Sequence, residues 1–159
     1  MSRLDEVPAE GATRMQPEPG KLTAGGGYAV DPKYLGELCE KLQIRITEVS
    51  PEHAVGTMPV EGNRQYFGVM HGGAFVALGE PLGSMAAIAS AGDDGYAVGL
   101  DVYATHTRSV SEGIVTGTCD AIHLGRSLAV HEIVIRDEAG NRLSTVRITN
   151  FIKRRRAAH

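Results

Sequence analysis

Tryptophan is absent from this chain of 159 residues, and aromatic residues make up only 5% of it. A hydrophobic core must therefore consist mainly of Val, Ile, Leu, Ala and Met side chains. Cysteine is almost as scarce: Cys39 and Cys119 form neither a CxxC pair nor a zinc-ligand spacing, which excludes a disulfide-rich or zinc-finger fold. The histidines include no HxxxH or HExxH pair, so we expect no catalytic metal.

Long apolar runs are missing as well. No stretch reaches the roughly 20 residues that a membrane-spanning helix needs, and the N-terminal residues lack the apolar segment of a secretory signal. Two thiols without such a signal indicate a reducing compartment, so we expect a cytoplasmic protein. The net charge of −3 argues against general nucleic-acid binding. We accordingly expect neither nucleic acid nor a membrane as a partner.

The two ends of the chain differ in composition from the middle. Residues 1–27 are rich in Glu, Pro, Gly and Ala and poor in large apolar side chains, which predicts a disordered tail. Residues 28–153 form the predicted folded domain, and residues 154–159 form a basic C-terminal tail. We interpret the basic run from Lys153 to Arg156 as solvated, with a contact to a phosphate-bearing ligand as the alternative.

Hydrophobic periodicity predicts a short helix, two strands, a long helix and then four strands. The short helix begins at Asp31-Pro32, an N-cap followed by a first-turn proline, and runs through Leu42. This order of elements predicts an α+β fold, in which an antiparallel sheet covers one central helix. The predicted strands start at Ile44 and continue as Ala54–Val60, Tyr96–Val110, Gly113–His123, Ser127–Arg136 and Arg142–Lys153.

The long helix is predicted from about Gly72 to Ser90 and is poor in both bulk and charge, so we expect it to be buried nearly all round. Pro81 lies in its middle and removes a backbone N–H, which costs about 3 kcal/mol in an ordinary helix interior. Either the helix kinks there or the packing tolerates the proline. The apolar stripe consists of Phe75, Leu78, Leu82, Met85 and Ala89, and a second face consists of Gly73, Ala77, Glu80, Ser84 and Ala87.

One carboxylate, Glu80, stands alone in this helix, and no Lys or Arg lies between Arg64 and Arg108 to neutralise it. Because a buried and unpaired carboxylate is costly, its position predicts a functional site. The step His71-Gly72-Gly73 marks the helix start, where unpaired N–H groups and the helix dipole favour negative charge. The alternatives are a solvated carboxylate at a helix edge and a His71 that a backbone carbonyl satisfies.

The chain resembles the hotdog-fold acyl-CoA thioesterases from about Ile44 to Ile152. It is most similar to the branch with a glutamate on the central helix, which acts on aryl-CoAs such as 1,4-dihydroxy-2-naphthoyl-CoA of menaquinone synthesis, 4-hydroxybenzoyl-CoA and phenylacetate-related esters. The resemblance implies a hotdog fold, a dimer of dimers and no cofactor beyond the CoA of the substrate. The matching residues are Gln65-Tyr66-Phe67-Gly68, His71-Gly72-Gly73, Glu80 with Ser84, His106-Thr107-Arg108 and Ile122–Arg126.

Thioester hydrolysis assigns a role to each part of this pattern. Gly72 lets a carbonyl approach the helix start without a side-chain clash, so its N–H is the expected oxyanion donor. Glu80 is either the nucleophile, through a mixed anhydride, or the general base that activates water. Ser84, one turn further on, would orient Glu80 or hold the water. The resemblance implies that His71 and Gln65 orient the carbonyl or the sulfur region.

The binding residues are expected on the resemblance as well. Arg126 and Ser127 would contact CoA, with Arg108 and the C-terminal arginines as weaker candidates. His106 is a core residue, an interface residue or part of the acyl pocket, and Phe67, Val69 and Met70 would line that pocket.

Gly72 and Glu80 are separated by about 12 Å along one helix, so we expect each site to take one from each of two subunits. Two other functions stay open. The first is a non-catalytic acyl-CoA-binding hotdog protein, which Pro81 favours. The second is a hydratase or dehydratase on the same fold, which would need an Asp/His pair acting on the acyl chain.

Overall fold

The structure, a computed structural model, describes Val30, residues 35–92 and residues 95–154. It contains the predicted succession of short helix, two strands, long helix and four strands. The α+β prediction is therefore confirmed. The elements are α1 (Glu37–Lys41), β1 (Arg45–Val49), β2 (His53–Pro59), α2 (Gly72–Ala91), β3 (Gly95–His106), β4 (Ile114–Leu124), β5 (Leu128–Arg136) and β6 (Arg142–Arg154).

All six strands form one antiparallel sheet in the order β1-β2-β4-β5-β6-β3. The helix α2 lies across one face of this sheet, and we call that face the inner face. Aliphatic and sulfur-containing side chains fill the space between them, as the scarcity of aromatic residues predicts. The largest fully buried apolar side chains are Ile44, Met58, Val60, Leu78, Leu82, Val115, Ile133, Ile135, Leu143, Val146 and Ile148.

Two glycines allow α2 to approach β6 closely. A Cβ atom added at Gly79 would lie only 2.7 Å from Val146 Cγ1. A Cβ atom added at Gly83 would collide with Ile148 Cγ2. Any side chain at either position would push the helix off the sheet and open a gap in the core.

The burial of α2 is only partly as predicted. Phe75, Leu78, Leu82 and Met85 are buried, but Ala89 is exposed. Glu80 is exposed too, so the prediction of a helix buried nearly all round is wrong for the single chain. The reason is long-range topology. Among the described residues β3 is the last strand of the sheet, and Glu80 lies beside Gly99 of this edge strand.

Pro81 does not interrupt the helix. It is buried, and α2 runs without a break from Gly72 to Ala91. The core therefore accommodates the proline ring within a continuous helix. Contrary to the expectation from the sequence, α2 is long and apolar enough to cross a membrane, although 61% of that stretch is buried inside the protein.

The boundaries of other elements differ from the prediction. The short helix begins at Glu37, because Gly36 has a φ of 81° and interrupts the helical backbone before it. The predicted start at Asp31-Pro32 lies outside the described residues, as do the predicted tail at residues 1–27 and residues 155–159. The strand predicted to reach Val110 ends at His106.

Candidate active site

His71 organises the start of α2. It is the N-cap residue, with an extended backbone, and its Nδ1 accepts a hydrogen bond of 2.8 Å from the Gly73 N–H. Its carbonyl accepts from the Ala74 N–H. Within the described part of the chain, the Gly72 N–H donates to no protein acceptor. The cap therefore satisfies its neighbours and leaves the Gly72 N–H to bind a ligand at the positive end of the helix dipole.

A cavity of about 350 Å³ opens at this helix start. We call it the helix-start site. The structure brings together here five residues that the sequence predicted for different roles, namely Gln65, Met70, Gly72, His106 and Arg108. Its lining residues include Gln65, Met70, Gly72, Phe75, His106 and Arg108.

His106, the last residue of β3, faces Gly72 across this cavity. A Cβ atom added at Gly72 would lie 3.0 Å from His106 Nε2. The imidazole also lies against Phe75, with ring centroids 5.4 Å apart, and its Nδ1 lies 2.9 Å from Ser144 Oγ. Glycine at position 72 therefore leaves room for the imidazole and for a ligand atom beside the free N–H.

Glu80 and Ser84 form a second polar position, the Glu80 site, in the middle of α2. The Ser84 hydroxyl donates to Glu80 Oε1 at 2.9 Å, as the spacing of one helical turn predicts. Ser84 Oγ also lies 3.4 Å from Oδ1 of the fully buried Asn150. Asn150 Nδ2 in turn donates to the Gly83 carbonyl at 3.4 Å. The carboxylate is thereby held on one oxygen, and the other remains available to solvent or substrate.

The two sites are separate in a single chain. Gly72 lies beside His106 at the end of β3, whereas Glu80 lies beside Gly99 in its first half; a Cβ atom added at Gly99 would be 3.9 Å from Glu80 Oε1. The eight residues between Gly72 and Glu80 correspond to about 12 Å of helix. No single acyl carbon can contact both groups of the same chain.

Three other candidate residues lie outside the helix-start site. Arg126 and Ser127 lie in the β4–β5 turn, and Ser127 accepts a 2.9 Å bond from the Ile152 N–H, near the far end of β6. Phe67 is exposed and stacks on Tyr66 at a centroid distance of 3.9 Å. One chain does not place them in the same cavity as Gly72.

Two positions in the site escaped the sequence analysis. Ser144 and Asn150 are fully buried on the inner face of β6, in the same alternation as Val146, Ile148 and Ile152. Each contacts a candidate site residue, His106 or Ser84. The sequence signal that could have identified them is a polar residue in an otherwise apolar alternation. A polar side chain buried in this way needs a hydrogen-bonding partner.

Two other buried titratable groups have perturbed pKa values. Burial raises the pKa of the Cys119 thiol to about 12, so it stays protonated. Burial also lowers the pKa of His131, whose Nε2 bonds to the Pro51 carbonyl at 3.0 Å. Among the described residues, no cluster of His, Cys, Asp and Glu side chains is suited to hold a metal ion.

Comparison with known proteins identifies the class. Residues 67–144 match the thioesterase superfamily. The chain is 47% identical over 120 residues to a putative esterase of Vibrio cholerae, a match covering 75% of this chain and 80% of that protein. It is 42% identical over 125 residues to the proofreading thioesterase EntH of Cronobacter turicensis, covering 78% and 91% of the two chains.

Solved structures of thioesterases are also similar to this chain. Thioesterase HI1161 of Haemophilus influenzae superposes with a TM-score of 0.71 at 35% identity, covering 81% of this chain and 94% of its own. A variant of thioesterase PA1618 of Pseudomonas aeruginosa gives a TM-score of 0.72 at 34% identity, with coverages of 79% and 95%. The chain belongs to the thioesterase superfamily and has its hotdog fold. It is an enzyme of the thioester hydrolase class.

Proposed function

We propose that the protein hydrolyses an aromatic acyl-CoA thioester to the free acid and CoA, at sites shared between two protomers. The observation that carries the proposal is the pair of half-sites on α2. One offers an unpaired backbone donor facing a cavity, and the other offers a carboxylate held by a serine. Hydrolysis of a thioester needs both, an oxyanion donor and a group that delivers water.

The helix-start site suits the carbonyl oxygen. As the oxygen gains negative charge, the Gly72 N–H and the helix dipole stabilise it. His71 Nδ1 accepts a hydrogen bond from the Gly73 N–H, so in the neutral imidazole the proton lies on Nε2 and His71 acts here mainly by holding the helix start. The side chain of Gln65 lines the same cavity and supplies an amide to orient the thioester.

Glu80 suits the delivery of oxygen. As a general base, it takes a proton from water while the water oxygen bonds to the acyl carbon, and the C–S bond then breaks. As a nucleophile, it forms a mixed anhydride with release of thiolate, and water then cleaves the anhydride. Hydrolysis in H₂¹⁸O under single-turnover conditions tests the nucleophilic route, because label enters the Glu80 carboxylate only if an anhydride forms and water attacks its glutamyl carbon.

The strand β3 supports a dimer. It is an edge strand of 12 residues. A long apolar edge invites pairing with another strand. Antiparallel pairing of two β3 strands about a two-fold axis would reverse one chain against the other and bring the helix start of one copy towards Glu80 of its partner. The dimer of dimers expected from the resemblance would join two such pairs. The exposed apolar side chains of β3 are Tyr96, Val98, Leu100, Val102 and Tyr103.

The aromatic acyl group and CoA rest mainly on the resemblance. Phe75 and Met70 give the helix-start site an apolar wall, and the exposed Arg108 beside it suits a phosphate. Arg126 and Ser127 remain CoA candidates. The relatives named proofreading thioesterases support a second candidate role, the removal of unwanted thioesters rather than one pathway step. We place the activity in the cytoplasm, which the two unpaired cysteines support.

Thiol release from a panel of CoA esters tests the proposal. The panel contains benzoyl, 4-hydroxybenzoyl, 1,4-dihydroxy-2-naphthoyl, phenylacetyl and straight-chain esters. We expect turnover of the aryl esters and a loss of at least about 100-fold in Glu80→Gln. Glu52→Gln, another exposed glutamate, in the loop between β1 and β2, is the matched control and should keep the wild-type rate.

Three results would contradict parts of this proposal. Binding of CoA esters without thiol release would support the non-catalytic binding protein. Full activity of Glu80→Gln would remove the role of the carboxylate. Similar rates on every ester would favour proofreading over a single aryl substrate.

A further inference from the structure

A buried serine contacts the imidazole at the helix-start site. Ser144 is fully buried on β6, and its Oγ lies 2.9 Å from His106 Nδ1 and 3.3 Å from the Thr105 carbonyl oxygen. A serine hydroxyl has a single hydrogen to donate, and a carbonyl oxygen can only accept. Both contacts are hydrogen bonds together only if the hydroxyl donates to Thr105 and accepts from the His106 Nδ1–H.

This arrangement fixes the role of each nitrogen of His106. With Nδ1–H bound to Ser144, only Nε2 can gain or lose a proton, and Nε2 is the nitrogen that faces Gly72. The bond to Ser144 persists in both charge states, because the serine oxygen accepts Nδ1–H from imidazole and imidazolium alike. The exposed His106 side chain can exchange the Nε2 proton with water.

We propose that His106 donates this Nε2 proton to the departing sulfur and that Ser144 is the positioning residue that aims it. The inference rests on the proposed thioester hydrolysis. The thioester oxygen and sulfur are bonded to the same carbon, so a group facing Gly72 can reach the sulfur of a thioester whose oxygen occupies the Gly72 N–H.

Each proton in this step has a donor and an acceptor. When the tetrahedral intermediate collapses, the C–S bond breaks and its electron pair goes to sulfur, which takes the proton from Nε2. His106 is left as the neutral Nδ1–H tautomer that Ser144 holds, and solvent returns the Nε2 proton before the next turnover. The proton removed from the attacking water leaves through Glu80.

Comparing two leaving groups tests the inference. A CoA ester releases a basic thiolate that needs a proton, whereas the 4-nitrothiophenyl ester of the same acid releases a weakly basic thiolate that does not. For the CoA ester we expect kcat to fall about 100-fold in His106→Gln and about 10-fold in Ser144→Ala. For the nitrothiophenyl ester, we expect both variants to stay within about threefold of wild type.

A double variant separates positioning from a structural role. Because Ser144 acts through His106, adding Ser144→Ala to His106→Gln should cause no further loss on the CoA ester. Ser144→Thr, which keeps the hydroxyl, should retain most of the wild-type kcat.

Equal losses on both esters would overturn the inference and place His106 at the carbonyl oxygen instead. Additive losses of kcat in the double variant would show that Ser144 has a structural role and does not act through His106. In both cases an active wild type leaves the proposed function intact, whereas a wild type that hydrolyses neither ester contradicts that function and, with it, this inference.

Discussion

The two polar sites on α2 differ in how much of their surroundings one chain supplies. The helix-start site is a defined cavity in which a cap, a glycine and a serine-bound histidine leave one backbone donor free. The Glu80 site is an exposed carboxylate bound by Ser84, beside β3, which is an edge strand of the sheet that the described residues form. This contrast is why we propose that the helix-start site of one copy works together with Glu80 of a second copy.

Mixing two inactive subunits is the most direct way to test that division and has the largest expected effect. Gly72→Val blocks the helix-start site and Glu80→Ala removes the carboxylate, so each homodimer should lose at least about 100-fold in activity. In a mixed dimer, one site carries both defects and the other carries neither, so activity should return to about half of the wild-type value per dimer. Differently tagged subunits, co-expressed and purified by both tags, allow the measurement.

The control for subunit mixing is a dimer of two differently tagged Glu80→Ala subunits, which should stay inactive. An inactive mixed dimer, with both subunits folded by circular dichroism, would contradict a site shared between protomers.

Breaking the β3 edge should separate the two sites. Leu100 is 58% exposed on β3, and a charge there would have to be buried on pairing with a second copy. We expect Leu100→Arg to give monomers in light scattering and to lose about 100-fold in activity. Thr47→Arg, at an exposed position of β1 on the opposite edge of the sheet, is the matched control and should change neither.

The β1 edge differs from the β3 edge because it is already protected against pairing with another strand. It is a five-residue strand with a register shift between Ile46 and Glu48, and the Val30 N–H donates to the Ile46 carbonyl. A Leu100→Arg variant that remained a fully active dimer would exclude β3 as the interface.

Asn150 offers a milder test, confined to the Glu80 site. Asn150→Ala removes the buried amide beside Ser84 Oγ and leaves the carbonyl of the preceding residue, Gly83, without its side-chain donor. We expect a threefold to tenfold lower kcat, roughly in proportion to the loss of one weak hydrogen bond, with KM unchanged. Thr149→Ala, on the outer face of the same strand, is the control, and an unchanged kcat in Asn150→Ala would remove the proposed support.

Sequence patterns predicted the elements better than their surroundings. The spacing of apolar residues located α2 and the strands, and the His71-Gly72-Gly73 step located the helix start. The exposure of Glu80 was not predictable, because it depends on β3, third in chain order, being last in the sheet. The contacts of Ser144 and Asn150 required the register of β6 against β3 and α2, which local sequence does not encode.

Replacing Pro81 tests whether the proline impairs the Glu80 site. We expect this replacement to have the smallest effect on activity and stability. In Pro81→Ala, the Ala77 carbonyl regains a helical donor worth about 1 kcal/mol, while the loss of buried ring atoms costs about as much. Because α2 is already continuous through Pro81, the Glu80–Ser84 pair should not move. We therefore expect the free energy of unfolding in urea to stay within about 1 kcal/mol of wild type and thiol release within about twofold. A gain in turnover of about 10-fold or more would show instead that the proline restrains the carboxylate. It would favour the alternative function, a non-catalytic acyl-CoA-binding protein.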